Sequence, residues 1–154
     1  MAPQISFTLH DDLPPIEAGI VDAGLGASNS AAAPLHDVRP LSCFARSGDG
    51  IARNTVIGGA IGRTWGRCCE LQQLWVDTAH RRQGLGARLV QAFEQRAMQR
   101  GCQTFYLETF SFQAPALYRA LGYRVHAEID GFAPGITKYL MIRELPRTAS
   151  LETP

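Results

Sequence analysis

The chain has 154 residues, of which 45% are hydrophobic and 19% charged, and its formal net charge is +1. This length and composition predict one soluble globular domain. The balanced charge argues against nucleic-acid binding, because proteins of that class normally carry a strong basic excess. No apolar run approaches the roughly 20 residues needed to span a bilayer, and the N-terminus lacks signal-peptide features, so we expect a cytoplasmic protein without membrane contact.

The first half of the chain predicts mainly β-strands. Ile5, Phe7 and Leu9 alternate with polar residues, which is typical of a first strand. Residues 16–34 contain helix-like pieces that three glycines and a Ser-Asn-Ser turn interrupt. Further strands are predicted at 41–47, 55–64 and 70–76, and the Ser-Gly-Asp-Gly turn between the first two of these indicates a hairpin.

The second half begins with a change to helical periodicity at Gly84. Apolar residues recur every four positions from Leu85 to Ala97, which predicts an amphipathic helix that ends at Gly101. Later elements are a strand at 103–110, a short helix at about 114–121, and two strands at 123–130 and 136–145. This order predicts a mixed α/β domain over residues 1–145 with a parallel strand pair around the central helix, followed by a flexible tail at 146–154.

The four cysteines, Cys43, Cys68, Cys69 and Cys102, show no metal-binding pattern. They contain no Cys-x-x-Cys pair, and the adjacent Cys68 and Cys69 would point to opposite faces of a strand. We therefore expect buried free thiols of a reducing compartment and no metal site.

A glycine-containing turn, Arg-Arg-Gln-Gly-Leu-Gly at 81–86, connects the strand at 70–76 to the central helix. The first N–H groups of a helix lack intrahelical partners and carry its positive dipole end, and glycine lets a phosphate approach the backbone. Arg81 and Arg82 add positive charge. A dinucleotide fingerprint would need a glycine where Leu89 stands, and the P-loop lysine is missing. A phosphate or pyrophosphate site is predicted, with a simple tight turn as the alternative.

Two segments carry a family resemblance. Residues 70–90, ELQQLWVDTAHRRQGLGARLV, and 107–123, LETFSFQAPALYRALGY, resemble the acyl-CoA-binding motifs of the GNAT acetyltransferase superfamily in order and spacing. The likeness covers roughly residues 41–145, and the run at 109–115 resembles a large bacterial branch with unassigned substrates. It implies a central mixed, mostly antiparallel sheet with a splayed parallel strand pair, flanked by helices, and acetyl-CoA as cosubstrate without a metal.

The resemblance also assigns cofactor contacts. It places the CoA pyrophosphate on the backbone amides of Arg82, Gln83, Gly84, Leu85, Gly86 and Ala87, with the Arg81 side chain beside them as a further cofactor contact. Leu74, Trp75 and Val76 would follow the pantetheine arm, and the Val76 N–H would face the thioester oxygen. Where the family usually has an asparagine, this chain has Ser111, so either Ser111 or Gln113 is expected to make that cofactor hydrogen bond.

The same resemblance suggests catalytic residues. Tyr118 stands where the family's general-acid tyrosine usually lies, although the spacing alone also fits a packing residue of the short helix. Glu70 stands where several members keep a glutamate that takes the amine proton. Glu108, at the end of the strand facing the slot, is also possible as the base, and it could instead bind a cationic acceptor or orient a loop; a water chain is a third route for the proton.

The function implied is direct transfer of an acetyl group from acetyl-CoA to a small-molecule amine in a ternary complex. A non-catalytic acyl-CoA sensor of the same fold and a protein-directed acetyltransferase are the alternatives. Acceptor specificity is expected in residues 11–40 and the loop at 130–136. A homodimer is also expected, because residues 136–145 alternate as an exposed edge strand would.

Overall fold

The computed structural model describes residues 5–48 and 54–146, and the chain forms two compact units that divide after His36. In the first unit, helix α1 spans Pro15–Ala32. The strand predicted around Ile5 to Leu9 is wrong, because residues 5–10 have no regular structure and alternation cannot itself supply a hydrogen-bonded partner strand. Residues 16–34 were expected to be broken, but the glycines are accommodated in α1, which has a proline in its first turn.

The second unit is a six-stranded sheet in the order β1-β2-β3-β4-β6-β5. Its elements are β1 Arg39–Arg46, β2 Val56–Trp65, β3 Cys68–Val76, α2 Leu85–Gln99, β4 Thr104–Phe110, α3 Pro115–Ala120, β5 Arg124–Ala133 and β6 Ile136–Glu144, with a short 3₁₀ turn at Thr78–His80. Another short 3₁₀ turn, Leu35–Asp37, spans the division after His36. Within the described residues β3 and β4 are parallel and the other neighbouring strands are antiparallel. The predicted hairpin and fold class are therefore confirmed, while residues 49–53 of the hairpin turn and 147–154 of the predicted tail lie outside the described residues.

The parallel pair β3–β4 separates halfway along its length. The two strands pair from Cys68 opposite Thr104 to Leu71 opposite Leu107, and β3 then continues to Val76 without a β4 partner in that register. At the point of separation a β-bulge lets Gln72 bypass the β2 ladder. A bulge bends its strand and increases the local twist, so it turns β3 away from β4. The splayed pair implied by the resemblance is present.

The bulge depends on Gly62 of β2. A Cβ atom at this position would lie 1.9 Å from the backbone oxygen of Glu70, a separation that no side chain can tolerate. Only a residue without a side chain therefore permits this register, and the opening of the slot between β3 and β4 depends on a residue of a neighbouring strand.

Helix α2 covers the sheet with the apolar face that its periodicity predicts. Leu89, Phe93 and Ala97 are buried in the same core as residues from β4 and β6. The helix also buries a carboxylate that the periodicity did not indicate, since Glu94 is only 2% exposed. The Tyr123 hydroxyl donates a 2.6 Å hydrogen bond to Glu94 Oε1, and Arg143 pairs with Oε2. This network satisfies the buried charge and ties α2 to the C-terminal strands.

Strand β6 is internal, because it pairs with β4 on one side and β5 on the other. The expectation that residues 136–145 form an exposed edge is therefore wrong: their alternation reflects the two faces of a central strand, and β1 and β5 are the edges. The homodimer stays a prediction without that support. None of the described helices is both long and apolar enough to cross a membrane.

The four cysteines are free thiols. Cys69 is buried and Cys68 is exposed, which confirms that neighbouring strand residues face opposite ways, but it also means that the expected burial does not hold for Cys68. Burial raises the pKa of the Cys69 thiol to about 12, with smaller contributions from Cys102 and Glu94.

Candidate active site

A cavity of about 770 Å³ occupies the slot where β3 and β4 diverge. Its walls are the second half of β3, the turn and first residues of α2, the end of β4, and α3. Of the residues predicted for the site, it brings together Leu74, Trp75, Val76, Arg81, Arg82, Gly84, Leu85, Gly86, Ala87, Gln113 and Tyr118. Gln83, Glu70 and Ser111 do not line it.

The turn before α2 forms one end of this cavity. Arg82 and Gly84 both adopt left-handed backbone conformations, with φ of 60° and 72°, and Gly84 is the N-cap without a side-chain cap. The first N–H groups of α2 are thus not taken by a capping side chain. Arg81 Nε donates a 3.0 Å hydrogen bond to the Val76 carbonyl, which holds its guanidinium at the end of β3. Two arginines and the positive end of a helix dipole make this end suited to an anion.

The amides of β3 form the wall between this turn and the interior. The Asp77 N–H donates a 2.9 Å hydrogen bond to Ile57, and ladder bonds alternate along an antiparallel strand. The Trp75 amide therefore faces β2, whereas the amides of Leu74 and Val76 face the opposite side. The Val76 carbonyl accepts its hydrogen bond from Arg81 and not from β2, which agrees with that direction. Because the pairing of β3 with β4 ends at Leu71, these amides can bond an extended ligand like an added strand.

Tyr118 of α3 reaches the cavity from the other side. It is 7% exposed, and its ring meets that of Tyr123 edge to face at 5.9 Å between centroids. Burial raises the pKa of the Tyr118 hydroxyl above its usual value, so the group stays protonated throughout the physiological range. Tyr123 is in turn held by Glu94. A neutral proton donor thus lies in a position fixed by the core.

The two candidate glutamates lie in different surroundings. Glu70 lies directly opposite Arg63 across the β2–β3 ladder, and Arg63 Nε donates a 2.6 Å hydrogen bond to its carboxylate. Glu108 follows Leu107, the last β4 residue paired with β3; it lines the cavity and forms an ion pair with Lys138. The structure therefore brings Glu108 to the cavity that holds Tyr118, while Glu70 remains in a cross-strand ion pair outside it.

Ser111 and Gln113 also separate. The Ser111 hydroxyl accepts a 3.1 Å hydrogen bond from the Thr137 N–H, which ties it to the start of β6. Gln113 lines the cavity, and its Oε1 accepts from the Phe110 N–H at 2.8 Å and the Thr109 hydroxyl at 3.3 Å. These bonds orient the Gln113 amide and leave its Nε2 donor without a hydrogen bond among the described residues.

Some cavity residues were not predicted for the site. Phe112 lines the cavity although it is 68% exposed, and the sequence showed it only as part of a family-like run. An aromatic residue between polar neighbours after a strand was the available signal. His80 also lines the cavity, with its Nδ1 3.5 Å from Asp77 Oδ1.

Known proteins similar to this chain are acetyltransferases. A family model described as Acetyltransferase (GNAT) family matches residues 21–123. Blasticidin-S acetyltransferase of Streptomyces morookaense is 39% identical over 113 residues, covering 73% of this chain and 82% of that protein.

Solved structures share the fold. An acetyltransferase from Bacillus cereus superposes with a TM-score of 0.73 at 23% identity, over 90% of this chain and 98% of its own. A structure of the NatC complex bound to Gag peptide and CoA contains a chain that matches with a TM-score of 0.62 at 17% identity, over 88% and 84% of the two chains. With the family model covering most of the sheet and the whole glycine turn, the protein belongs to the GNAT acetyltransferase family and is an N-acetyltransferase.

Proposed function

We propose that the protein transfers an acetyl group from acetyl-CoA directly to the amine of a small molecule, with both substrates bound together. The observation that carries this proposal is one continuous cavity that contains the anion-binding turn, the outward-facing β3 amides and the buried Tyr118. The relative named as a blasticidin-S acetyltransferase supports a small-molecule acceptor.

The cofactor contacts follow from the polarity of this cavity. The pyrophosphate binds the amides of residues 82–87, with the Arg81 side chain supplying positive charge from the end of β3. The pantetheine amides extend β3 beside Leu74, Trp75 and Val76. Gln113, rather than Ser111, makes the remaining hydrogen bond, because Gln113 lines the cavity and its Nε2 has no partner among the described residues, whereas the Ser111 hydroxyl accepts from the Thr137 N–H of β6.

The chemistry needs a neutral amine as nucleophile, a hydrogen-bond donor for the oxyanion and an acid for the departing sulfur. The neutral amine nitrogen attacks the thioester carbonyl carbon, and the Val76 N–H stabilises the oxyanion that forms. When the C–S bond breaks, Tyr118 gives its proton to the departing sulfur, and water restores it. Glu70 lies outside the cavity, where it is paired with Arg63, so we assign the amine proton to water in the open cavity.

The test is acetylation of an amine panel that includes blasticidin S, followed by mass spectrometry of the products and by release of the CoA thiol. We expect acetylated small molecules and thiol release in equal amounts. Binding of CoA without any product would favour an acyl-CoA sensor, and acetylation confined to peptides would favour a protein-directed enzyme.

A further inference from the structure

The two walls of the cavity carry opposite charge. Arg81 and Arg82 follow β3, whereas Glu108 on β4 is the only acidic residue among the described residues that line the cavity. The arginine side suits the pyrophosphate of the proposed function. A second substrate that binds against β4 therefore meets this carboxylate, and a cationic group of the substrate can replace Lys138 as its partner.

An aromatic surface adjoins this carboxylate. Phe112 lies parallel to Phe110, with 8° between the planes and 5.3 Å between centroids, and Phe132 meets Phe110 edge to face at 5.1 Å. Phe110 is thus held from two directions, while Phe112 lines the cavity with 68% of its surface exposed. An exposed ring supported by a stack is a preformed surface for a flat group.

The Glu108 carboxylate is available for exchange. Lys138 contacts Oε2, and Oε1 has no hydrogen bond within the described residues. The Glu108 side chain is 58% exposed, and an ion pair so exposed stabilises little. Lys138 Nζ also lies 5.6 Å from the centroid of the Phe110 ring, so it keeps a favourable contact if a ligand takes over the carboxylate.

We propose that Glu108 and Phe112 form the acceptor site, which takes a small amine that carries a second cationic group and a flat ring. This inference rests on the proposed function. The cation bound by Glu108 is distinct from the reacting nitrogen, because that nitrogen must lose its positive charge before it can attack the thioester. Glu108 is accordingly a specificity residue and not the base.

Matched amines test the proposal. We would compare p-xylylenediamine, which has a ring and two amines, with benzylamine, which has the same ring and one, and with 1,6-diaminohexane, which has no ring. Calorimetry gives their binding to the protein–CoA complex, and thiol release gives kcat and KM. The wild type should prefer p-xylylenediamine to each of the others by about tenfold, which corresponds to roughly 1.4 kcal/mol.

Variants separate the two contacts. Glu108→Gln should reduce the preference for the second cation to within about twofold, and Phe112→Ala should do the same for the ring. Lys138→Met removes the competing cation and should tighten diamine binding by a few fold. Glu144→Gln is the matched control, since Glu144 is 55% exposed and paired with Arg124 near the far end of β6; it should leave every ratio unchanged.

The outcomes distinguish this inference from the proposed function. Glu108-dependent diamine binding without acetylated product would support the acceptor site and refute the proposed activity. Acetylation with equal use of benzylamine and p-xylylenediamine would support the proposed activity and refute the acceptor site. If Glu108→Gln lowers kcat equally for all amines, Glu108 is the base and the inference is wrong. Absence of amine binding to the CoA complex would also overturn it.

Discussion

Replacing Tyr118 by phenylalanine removes one oxygen atom and keeps the ring. The ring is buried and packs edge to face on Tyr123, and a phenyl group of the same shape preserves that contact. Burial is the cause of the raised Tyr118 pKa, with no neighbouring charge contributing. The substitution therefore leaves no charged partner unpaired, and the free energy of unfolding should change by about 1 kcal/mol or less.

The effect on catalysis should be much larger. Loss of a general acid typically lowers the rate by about a hundredfold to ten-thousandfold. A single neutral hydrogen bond contributes only about 0.5 to 1.5 kcal/mol, which limits any loss of CoA affinity to about tenfold. Because Tyr118 acts at the departing sulfur and not on bound CoA, we expect the affinity to stay within about threefold. The Tyr118→Phe variant should thus lose kcat and retain CoA binding.

Steady-state thiol release and calorimetric CoA binding measure the two effects separately. Tyr106→Phe is a matched control, because Tyr106 is a half-buried β4 tyrosine that does not line the cavity, and it should retain kcat. Because the Tyr118 pKa is raised, the wild type should show no loss of rate from tyrosine ionisation below about pH 10. Normal turnover in Tyr118→Phe would refute the acid role, and equal loss of CoA affinity and rate would make Tyr118 a cofactor contact.

Three further perturbations follow from the structure. Millimolar CoA should raise the melting temperature, and adenosine should do so far less. Gly86→Asp should abolish the shift, because its side chain enters beside Leu117 and Val76 and brings negative charge to the anion-binding end of the cavity. An unchanged shift in Gly86→Asp would contradict the pyrophosphate assignment. Gly62→Ala should destabilise the fold by about 1 to 3 kcal/mol in urea titration, because its Cβ would overlap the Glu70 carbonyl, and a neutral result would mean that the bulge can move. The pKa of the Cys69 thiol is raised from about 9 to about 12 by folding, so the folded state holds the proton longer and stability is lost as pH rises through that window, by up to about 1.4 kcal/mol per pH unit from this thiol. Cys69→Ala should reduce the slope without abolishing it, because the pKa values of Cys102 and Tyr118 are raised as well, and an identical slope in that variant would refute the assignment.

The sequence determined the features that depend on neighbouring residues. The turn at 81–86 and helix α2 were predicted because backbone conformation, helical periodicity and unpaired N–H groups are local properties. The hairpin of β1 and β2 was predictable for the same reason. Together with the second motif these features were sufficient to identify the family and its cofactor.

Tertiary structure decided which side chains share the cavity. Glu70 and Glu108 are both strand glutamates, and their local patterns did not show which one faces the slot. Their positions depend on where β3 stops pairing with β4, on the bulge opposite Gly62 and on the partners Arg63 and Lys138. The strand expected near residue 5 failed similarly, because strands exist through hydrogen bonds to distant residues. Local sequence therefore determined where the glycine turn lies, whereas the position of Glu108 at the cavity depends on pairings between residues far apart in the chain, which no local pattern encodes.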